Sequence, residues 1–423
     1  MCYIGLNISL LLFFSIPSCT EKRKAYPIMK NAGEAEKIIG LFNDSYPPIM
    51  DGVALAVQNY AHSLYKKNQQ VCVVTPRVFT KYTDSSEFPV YRYASLPLWG
   101  RKPYSFGIPY TDFLFLEKIM HVPFKILHAH CPFSSAQLAL TIKKQQKIPI
   151  VATFHTKFKA DFERIAFNNR TITNWMIKEI IRFYESVDEV WIPQAAVEDV
   201  IREYGYKGKM VLMENGTDFS IDSDIEILKQ QAHAKLNIPQ GVPVFLFVGQ
   251  HIWEKNVRLI IESLSMMKDR QFQMFFIGTG YAEKELKALT EHCGLLSKVH
   301  FLGTISDREQ LKRYYIAADL FLFPSLYDNA PLVVREASAM HTPSVLIKGS
   351  TASEVITDNF NGFLTENSSL ELTKRILELI EQPEIIKQVG SNASRTIARS
   401  WDDIIENVLD RYAYLIRKHG TKN

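Results

Sequence analysis

The chain has 423 residues, of which 47% are hydrophobic and 22% charged, and its formal net charge is +4. This length allows two domains with full-sized cores, and the composition is ordinary for a globular protein rather than a fibrous or disordered one. So small a net charge argues against a nucleic-acid-binding protein, but it is compatible with an anionic substrate or a membrane surface.

The N-terminus is treated apart from the fold. Residues 3–16 are almost wholly apolar, but the run is short for a transmembrane helix and lacks the preceding positive charge of a secretory signal. Ile16-Pro-Ser-Cys19 faintly resembles a lipoprotein cleavage site, and Met29 is an alternative start. Three interpretations stay open for residues 1–28: a spurious or disordered extension, a membrane anchor, or a cleaved signal. We assign residues 1–36 to an N-terminal extension.

From Lys37 onward, short apolar runs rich in β-branched residues alternate with amphipathic helical stretches. The first series of runs lies at 38–44, 71–76, 126–132, 150–156, 189–194 and 210–216. The second lies at 244–250, 274–280, 299–304, 320–325, 344–348 and 362–366. Continuous apolar strands that each precede a helix indicate parallel sheets covered on both faces. Two series predict two doubly wound domains, which bind ligands at the carboxyl ends of their strands.

The boundary between the two domains is predicted in the polar segment 216–242, which ends in a Gly-Val-Pro turn. We therefore divide the chain into a first domain at 37–216 and a second at 217–399. The final stretch, 400–423, has apolar residues at helical spacing, and we expect this helix to dock back on the first domain.

Two loops of the second domain suit phosphate binding. Lys255 lies where a loop enters a helix predicted from about Val257, so its ammonium group can neutralise a phosphate held by helix-terminal N–H groups. The Gly278-Thr-Gly280 sequence allows backbone to approach a ligand closely. Each feature alone is more often a solvated lysine or a tight turn.

Two carboxylates lie eight residues apart after the strand at 320–325. Asp328 precedes a helix predicted over 332–340, where it can accept hydrogen bonds from a ligand hydroxyl and where helix N–H groups can hold an anion. Glu336 lies within that helix among apolar residues and can reach paired hydroxyls such as a ribose diol. The alternative is an acid that complements the helix dipole and an ordinary surface glutamate.

The stretch from Pro324 to Pro343 resembles the signature of retaining glycosyltransferase family 4, in which an acid is followed by seven residues and a glutamate. Further motifs that fit the family occur in the same order over residues 37–415: 43–47, 51–53, 154–156, 215–218, Gly249 with 254–256, 278–280, Gly349 with Glu354, and 361–363. The resemblance implies an α/β fold of the GT-B type, with two doubly wound parallel-sheet (Rossmann-like) domains facing across a cleft. The first domain would take the acceptor and the second the nucleotide-sugar.

The resemblance also implies roles for individual residues. Lys255 would bind the diphosphate, Asp328 the donor sugar and Glu336 the ribose. His155 would lie beside the donor sugar, and with Lys255 and Asp328 it completes the predicted catalytic set. The remaining donor-binding positions would be Gly52, Gly249, Gln250, Gly278, Asn329, Ala330, Pro331 and Leu332. Neither acid is assigned as a covalent nucleophile.

Two positions depart from the family pattern. Asp328 replaces the usual glutamate and is one methylene shorter, which we interpret as tuning of sugar choice. Gln250 replaces an arginine that pairs with the diphosphate, and loss of this charge-assisted contact weakens leaving-group stabilisation by roughly 1.5–3 kcal/mol. Arg258 and Lys348 are the nearest basic residues in the sequence that could substitute.

The function implied by the resemblance is transfer of a hexose from a nucleotide-diphosphate sugar to a lipid or glycan acceptor, with an α-linkage and with neither cofactor nor metal. A UDP-hexose such as UDP-glucose is the first expectation for the donor, and GDP-mannose the second. The enzyme would be cytoplasmic, peripheral at or anchored to the inner membrane, and would serve cell-envelope glycolipid or polysaccharide biosynthesis. Two alternatives stay open: a nucleotide-sugar epimerase of the same fold, and a catalytically weak nucleotide-sugar-binding subunit in which Gln250 has disabled the phosphate site.

Other sequence features invite weaker interpretations. Asp222-Ser-Asp224 spells a metal-binding Asp-x-Asp, but it falls in the interdomain segment, and His128, His130 and Cys131 are better read as a buried strand end than as zinc ligands. The basic and aromatic segment 156–184 is either a membrane-facing or acceptor-side patch or an amphipathic helix packed on the sheet. The five scattered cysteines favour reduced thiols over a disulfide framework.

Overall fold

The structure is a computed structural model that describes residues 37–80, 82–98 and 104–421. The chain divides into two compact units, Met1–Ala35 and Glu36–Asn423, and the described residues belong to the second. The interpretations of the N-terminal extension concern residues outside the described ranges and stay predictions.

The first domain is built on a seven-stranded parallel sheet with the strand order β3-β2-β1-β6-β7-β8-β9. Its strands are β1 (Ile38–Phe42), β2 (Val71–Pro76), β3 (Val90–Tyr93), β6 (Phe124–Ala129), β7 (Ile150–Thr153), β8 (Glu189–Ile192) and β9 (Met210–Leu212). A separate antiparallel pair consists of β4 (Ser95–Pro97) and β5 (Ser105–Gly107). The helices are α1 (Gly52–Lys66), α2 (Phe113–Met120), α3 (Ser134–Gln146), α4 (Phe158–Ile165), α5 (Arg170–Ser186) and α6 (Val197–Glu203).

The second domain is built on a six-stranded parallel sheet with the order β12-β11-β10-β13-β14-β15. Its strands are β10 (Val244–Val248), β11 (Gln273–Ile277), β12 (Val299–Phe301), β13 (Leu320–Phe323), β14 (Ser344–Ile347) and β15 (Phe363–Thr365). Its helices are α7 (Ile225–Leu236), α8 (Val257–Ser265), α9 (Glu283–His292), α10 (Arg308–Ala317), α11 (Leu332–Ala339), α12 (Ser369–Ile380) and α13 (Pro383–Thr396).

The chain crosses between the domains twice, at neighbouring points. Thr217 pairs with Ser400 in a short bridge, and the N–H of Thr217 donates to the carbonyl of Arg399 at 2.8 Å. The last helix, α14 (Trp401–Gly420), then packs its apolar face against α1 and the first sheet. A side chain at Gly216 would collide with the backbone of Trp401 at 2.7 Å, so glycine permits this close crossing.

Each of the twelve predicted strand segments corresponds to a strand of one of the two sheets, and the predicted GT-B class is confirmed. The sequence reading missed β3, an edge strand that carries the polar Arg92, and the short β4–β5 pair. Both are short and not continuously apolar, so they lack the signal that identified the central strands. Within the described ranges, no helix is both long enough and apolar enough to cross a lipid bilayer.

Candidate active site

The centre of the candidate site is an ion pair between two loops of the second domain. Lys255 ends the loop after β10, and Asp328 lies in the loop between β13 and α11. The Nζ atom of Lys255 lies 2.8 and 3.0 Å from the two carboxylate oxygens of Asp328. Ser325 donates its hydroxyl to the same carboxylate, and the ammonium group lies 5.1 Å from the centre of the Phe323 ring. A fixed positive charge therefore stands at the carboxyl edge of the sheet.

The first turn of α11 lies beside this pair. In it the N–H of Val334 donates to the carbonyl of Pro331 at 3.3 Å, and the N–H groups of Leu332 and Val333 precede it. Pro331 is the N-cap residue, and no side chain caps the helix. Uncapped N–H groups at a helix N-terminus carry partial positive charge and suit an anionic ligand. The predicted donor-binding segment Asn329–Leu332 leads directly into this turn. Lys255 and these N–H groups together can stabilise negative charge on a phosphate.

Two predicted glycines bring two loops of the second domain together. Gly249 has a φ of +152°, and a side chain there would approach Lys255 Nζ at 3.6 Å. Gly278 has a φ of +126°, and its Cβ would lie 2.0 Å from the carbonyl oxygen of Gly249. Close packing on Gly249 therefore already requires glycine at position 278, and its place in the donor site stays a prediction.

Glu336 is held by two partners that the sequence analysis did not identify. It is 4% exposed, and its carboxylate accepts hydrogen bonds from Arg308 at 2.7 Å and from the hydroxyl of Tyr315 at 2.8 Å. Arg308 also pairs with Asp218 in the interdomain segment. Burial disfavours the charge on Arg308, but the Glu336 and Asp218 carboxylates outweigh this effect and raise its pKa. The seven-residue spacing of Arg308 and Tyr315, two turns on one helix face, is the sequence signal that could have revealed them.

The side chain of Gln250 contacts the first domain. Its amide donates to the hydroxyl of Tyr104 at 3.2 Å, and Tyr104 in turn hydrogen-bonds the carboxylate of Asp51. Asp51 caps α1 by accepting from the N–H groups of Val53 and Ala54 at 3.0 and 2.8 Å. Burial raises the pKa of Asp51, and the hydrogen bonds it accepts oppose this rise. Gln250 therefore joins the second domain to the start of α1 through a chain of hydrogen bonds.

Gly52, which follows Asp51, is the first residue of α1 and is exposed. A Cβ at this position would meet no atom within 4 Å. The chain itself therefore does not require glycine here, which is consistent with the prediction that a ligand approaches this backbone closely.

His155 belongs to a row of three imidazoles at the carboxyl edge of the first sheet. Its Nε2 lies 3.1 Å from Nδ1 of His130, and the two rings are stacked. The ring of His130 lies in turn against His128, which is bound by the hydroxyls of Tyr412 and Thr153 at 2.6 and 2.7 Å. Burial lowers the pKa of all three rings, that of His155 to about 4. His155 is therefore neutral at pH 7 and can donate from one nitrogen while it accepts at the other.

The loop between β13 and α11 is anchored to the first domain by two asparagines. The side-chain amide of Asn329 donates to the carbonyl of His155 at 3.0 Å, and that of Asn215 donates to the carbonyl of Ala330 at 3.1 Å. Arg335, buried on α11, donates to the carbonyl of Asn215 at 2.8 Å. The structure therefore brings the predicted residues His155, Asn329 and Ala330 together. The side chain of Asn329 forms a hydrogen bond between the two domains.

A second group of contacts joins α4 to the loops that carry the ion pair. The hydroxyl of Tyr327 donates to Asp161 at 2.6 Å, and Arg164 donates to Glu254 at 3.1 Å. Tyr327 and Glu254 directly precede Asp328 and Lys255. The contacts between the domains at α4 therefore involve the immediate chain neighbours of both members of the ion pair.

The cations expected to compensate for Gln250 are exposed and paired with acids. Arg258 is 61% exposed and pairs with Glu262, and Lys348 is 68% exposed and lies 3.7 Å from Glu366. Both side chains are therefore paired with acids in this structure, and their role as substitutes for the missing arginine stays a prediction. Lys157 is the basic residue of the first domain beside Asp328: it donates to the carbonyl of Leu326 at 3.1 Å, and although burial lowers its pKa, the Asp328 charge opposes that effect.

The residues given weaker interpretations have structural partners. Asp224 caps α7 through the N–H of Glu226, and His128 is hydrogen-bonded within the core. Segment 156–184 forms two helices, α4 and α5, whose apolar faces are buried in a common cluster. In the described part of the chain, no group of three or more His, Cys, Asp or Glu side chains is placed to hold a metal ion.

Comparisons with known proteins indicate the family of the chain. The model for Glycosyltransferase Family 4 matches residues 50–220, and the model for Glycosyl transferases group 1 matches residues 229–396. The alpha-monoglucosyldiacylglycerol synthase of Streptococcus pneumoniae is 26% identical over 357 residues, 82% of this chain and 79% of that protein. The synthase of the same name from Acholeplasma laidlawii is 22% identical over 368 residues, 84% of this chain and 91% of that protein.

Solved structures share the fold. Sucrose-phosphate synthase from Thermosynechococcus elongatus has a TM-score of 0.74 at 20% identity, and the match covers 90% of this chain and 100% of that one. HepE from Anabaena, in complex with UDP and glucose, has a TM-score of 0.68 at 20% identity, with 90% and 100% covered.

The fold, with its two parallel-sheet α/β domains, is that of the GT-B glycosyltransferases. The chain belongs to the family 4 type of these enzymes, glycosyl transferases group 1, and is a hexosyltransferase.

Proposed function

We propose that this enzyme transfers a hexose from a UDP-sugar to a lipid-borne acceptor, with retention of the α-configuration and without a metal ion. The observation that carries the proposal is the Lys255–Asp328 ion pair beside the uncapped N-terminus of α11. It combines a cation and backbone donors for a diphosphate with a carboxylate for sugar hydroxyls.

The choice of donor rests on the nucleotide side of the site and on the relatives. Glu336, fixed by Arg308 and Tyr315, is the group that would accept both hydroxyls of a ribose. The two relatives described above are named as monoglucosyldiacylglycerol synthases, and HepE was solved with UDP and glucose. UDP-glucose is therefore the favoured donor and GDP-mannose the second candidate.

The proposed reaction breaks the bond between the anomeric carbon and the diphosphate oxygen and forms a bond from that carbon to an acceptor hydroxyl oxygen. The acceptor attacks from the face that the diphosphate leaves, which preserves the configuration, and its proton passes to the departing diphosphate. Lys255 and the α11 N–H groups stabilise the negative charge that develops on the diphosphate. Asp328 positions the sugar and acts as a binding group.

No metal ion is needed in this scheme, because the charge on the diphosphate is met by Lys255 and helix donors. Gln250 contributes a hydrogen bond between the domains rather than a charge. Lys157 supplies a second positive charge near Asp328 from the acceptor side.

The acceptor is proposed to reach the site from a membrane surface. The turn between α4 and α5 exposes apolar side chains: Phe167 is 94% exposed, and Ile165 and Ile172 are also exposed. Arg170 begins α5 beside them. Exposed apolar groups next to basic residues favour peripheral binding to anionic lipid, which would place the enzyme on the cytoplasmic face of the inner membrane.

The test is a donor and acceptor panel in the presence of a chelator. UDP-glucose, UDP-galactose and GDP-mannose are each combined with diacylglycerol or monoglucosyldiacylglycerol in phosphatidylglycerol vesicles. The proposal predicts nucleoside diphosphate release and an α-linked glycolipid with one UDP-sugar. An altered sugar still attached to its nucleotide would instead indicate an epimerase, and binding of nucleotide-sugar without product would indicate a binding subunit.

A further inference from the structure

A cavity of about 440 Å³ lies between the domains beside the ion pair. Its volume is within the range of about 300–1,000 Å³ that is usual for small-molecule sites. The first domain contributes α4 and the end of α6, and the second domain contributes Glu254, Leu326 and Tyr327. Because these three residues lie within two positions of Lys255 or Asp328 in the chain, one wall of the cavity is continuous with the loops that carry the ion pair.

The polar groups of the cavity suit a ligand with several hydroxyls. Glu163, Glu203 and Glu254 bring carboxylates. Glu203 pairs with Lys159 at 2.7 Å and Glu254 with Arg164 at 3.1 Å, and each carboxylate keeps further lone pairs that can accept hydrogen bonds from hydroxyl groups. Tyr204 is 9% exposed, and its hydroxyl accepts from the N–H of Lys159 at 2.9 Å. None of the described side chains or carbonyls accepts the hydroxyl proton of Tyr204 in return, so it is free to donate to a ligand.

The apolar groups suit the same ligand. The rings of Tyr204 and Tyr327 and the side chains of Val200 and Leu326 form part of the wall. A sugar ring presents C–H groups on its faces and hydroxyls around its edge, and therefore matches aromatic rings and carboxylates together. A bare glycerol hydroxyl would use few of these groups.

Lys157 connects the cavity to the reacting centre. It lines the cavity, and its ammonium group donates to the carbonyl of Leu326, two residues before Asp328. An acceptor hydroxyl at this end of the cavity would lie on the side of Asp328 that faces the first domain. The outer end of α4 leads to Ile165 and Phe167, the exposed apolar side chains at the proposed membrane surface.

We propose that this cavity is the acceptor site and that it binds a sugar ring, so that the enzyme extends an acceptor that is already glycosylated. The proposal rests on the transferase function proposed above and specifies its acceptor. The hexose on the acceptor would occupy the cavity, while its lipid part extends along α4 towards Phe167.

The test uses variants of the full chain that remove one hydrogen-bonding group each. Glu203→Gln removes an exposed carboxylate charge, and Tyr204→Phe removes the hydroxyl but keeps the ring. Glu198→Gln on the same helix is the matched control, because Glu198 pairs with Arg202 and does not line the cavity. Initial rates are measured with UDP-glucose and either monoglucosyldiacylglycerol or diacylglycerol in mixed micelles.

We expect wild-type enzyme to prefer monoglucosyldiacylglycerol. Both cavity variants should raise the KM for this acceptor about tenfold or more, with the KM for UDP-glucose and the acceptor-free hydrolysis of UDP-glucose unchanged. The Glu198→Gln control should match wild type. Equal use of diacylglycerol, or an unchanged acceptor KM in both cavity variants, would overturn the proposal.

A binding measurement separates failure of this proposal from failure of the transferase function. Saturation-transfer NMR with methyl α-glucopyranoside detects sugar binding without any turnover. Binding that is present in wild type and lost in Tyr204→Phe supports the cavity even if no glycolipid forms. Absence of binding in wild type overturns it even if glycolipid is made.

Discussion

The ammonium group of Lys255 lies within 3.0 Å of both carboxylate oxygens of Asp328, although 73 residues separate them in the chain. The pair joins the loop after β10 to the loop before α11. A diphosphate bound at this point would share Lys255 with Asp328. The lysine can therefore bind the leaving group while the Asp328 carboxylate holds the lysine side chain in place.

Replacement of Lys255 should therefore lower the reaction rate more than the stability of the fold. Lys255→Ala is expected to lower kcat about 10²–10³-fold, because the developing diphosphate charge loses its fixed cation. Steady-state rates of nucleoside diphosphate release measure this effect. Lys348→Ala, an exposed lysine, is the control and should keep wild-type kcat. A Lys255→Ala enzyme with kcat within threefold of wild type would contradict the assigned role.

Arg308 should act on nucleotide binding through Glu336. Arg308→Gln removes the cation that orients the Glu336 carboxylate, and we expect the Kd for UDP to rise about tenfold or more. The loss should disappear with 2′,3′-dideoxy-UDP, because that nucleotide lacks the hydroxyls that Glu336 would bind. Isothermal titration calorimetry measures both affinities.

Arg313→Gln on the same helix is the control for Arg308, since Arg313 bonds only a carbonyl of its own helix among the described residues. Equal losses of affinity for UDP and for the dideoxy nucleotide in Arg308→Gln would show that Arg308 acts on another part of the ligand or on the fold.

Gly52 and Gly278 should respond differently to alanine. Gly278→Ala places a Cβ 2.0 Å from the Gly249 carbonyl at a positive φ and should destabilise the fold by about 1–3 kcal/mol or more. Gly52→Ala meets no atom within 4 Å and should keep its unfolding temperature while raising the KM for the donor. Thermal unfolding and donor kinetics distinguish the two. A normal donor KM for Gly52→Ala would remove Gly52 from the donor site.

Acid should destabilise the chain through the imidazole row. Burial lowers the pKa of His155 from 6.5 to about 4, so between these pH values the unfolded chain binds more protons than the folded chain. The free energy of unfolding should therefore fall as the pH falls from 6.5 to about 4, by up to about 3 kcal/mol from His155 alone. The lowered pKa values of His128 and His130 act in the same direction.

Urea unfolding at pH 7.5, 6 and 5 measures this loss. The free energy of unfolding of His155→Asn should depend less on pH than that of wild type. Replacement of the exposed His292 by asparagine should leave this pH dependence unchanged. Identical pH dependence in His155→Asn and wild type would mean that the imidazole row does not control acid stability.

The sequence predicted the fold well because its central strands are buried on both faces and hence continuously apolar. The start of α11 at Leu332 and of α8 at Val257 was also predicted, since both follow strand ends with loop residues. The edge strand β3 was missed because its Tyr91 and Arg92 are only half buried. The domain boundaries and the roles of the site residues remain predictions.

The partners within the site were harder to predict, because they come from distant parts of the chain. Nothing near Gln250 in the sequence indicates Tyr104, which lies 146 residues earlier in the other domain. Arg258 and Lys348 were chosen as compensating cations only by their sequence proximity to the site loops. That choice stays a prediction, because sequence proximity to a loop does not fix the direction of a surface side chain.

The most direct test of the account is the anomeric outcome of a metal-free reaction. Wild-type enzyme and Lys255→Ala are incubated with UDP-glucose, monoglucosyldiacylglycerol and a chelator, and the new linkage is read by proton NMR. The account predicts an α-linked product from wild type and at least a hundredfold slower formation by Lys255→Ala. A β-linked product, or a reaction that requires an added divalent metal ion, would contradict it.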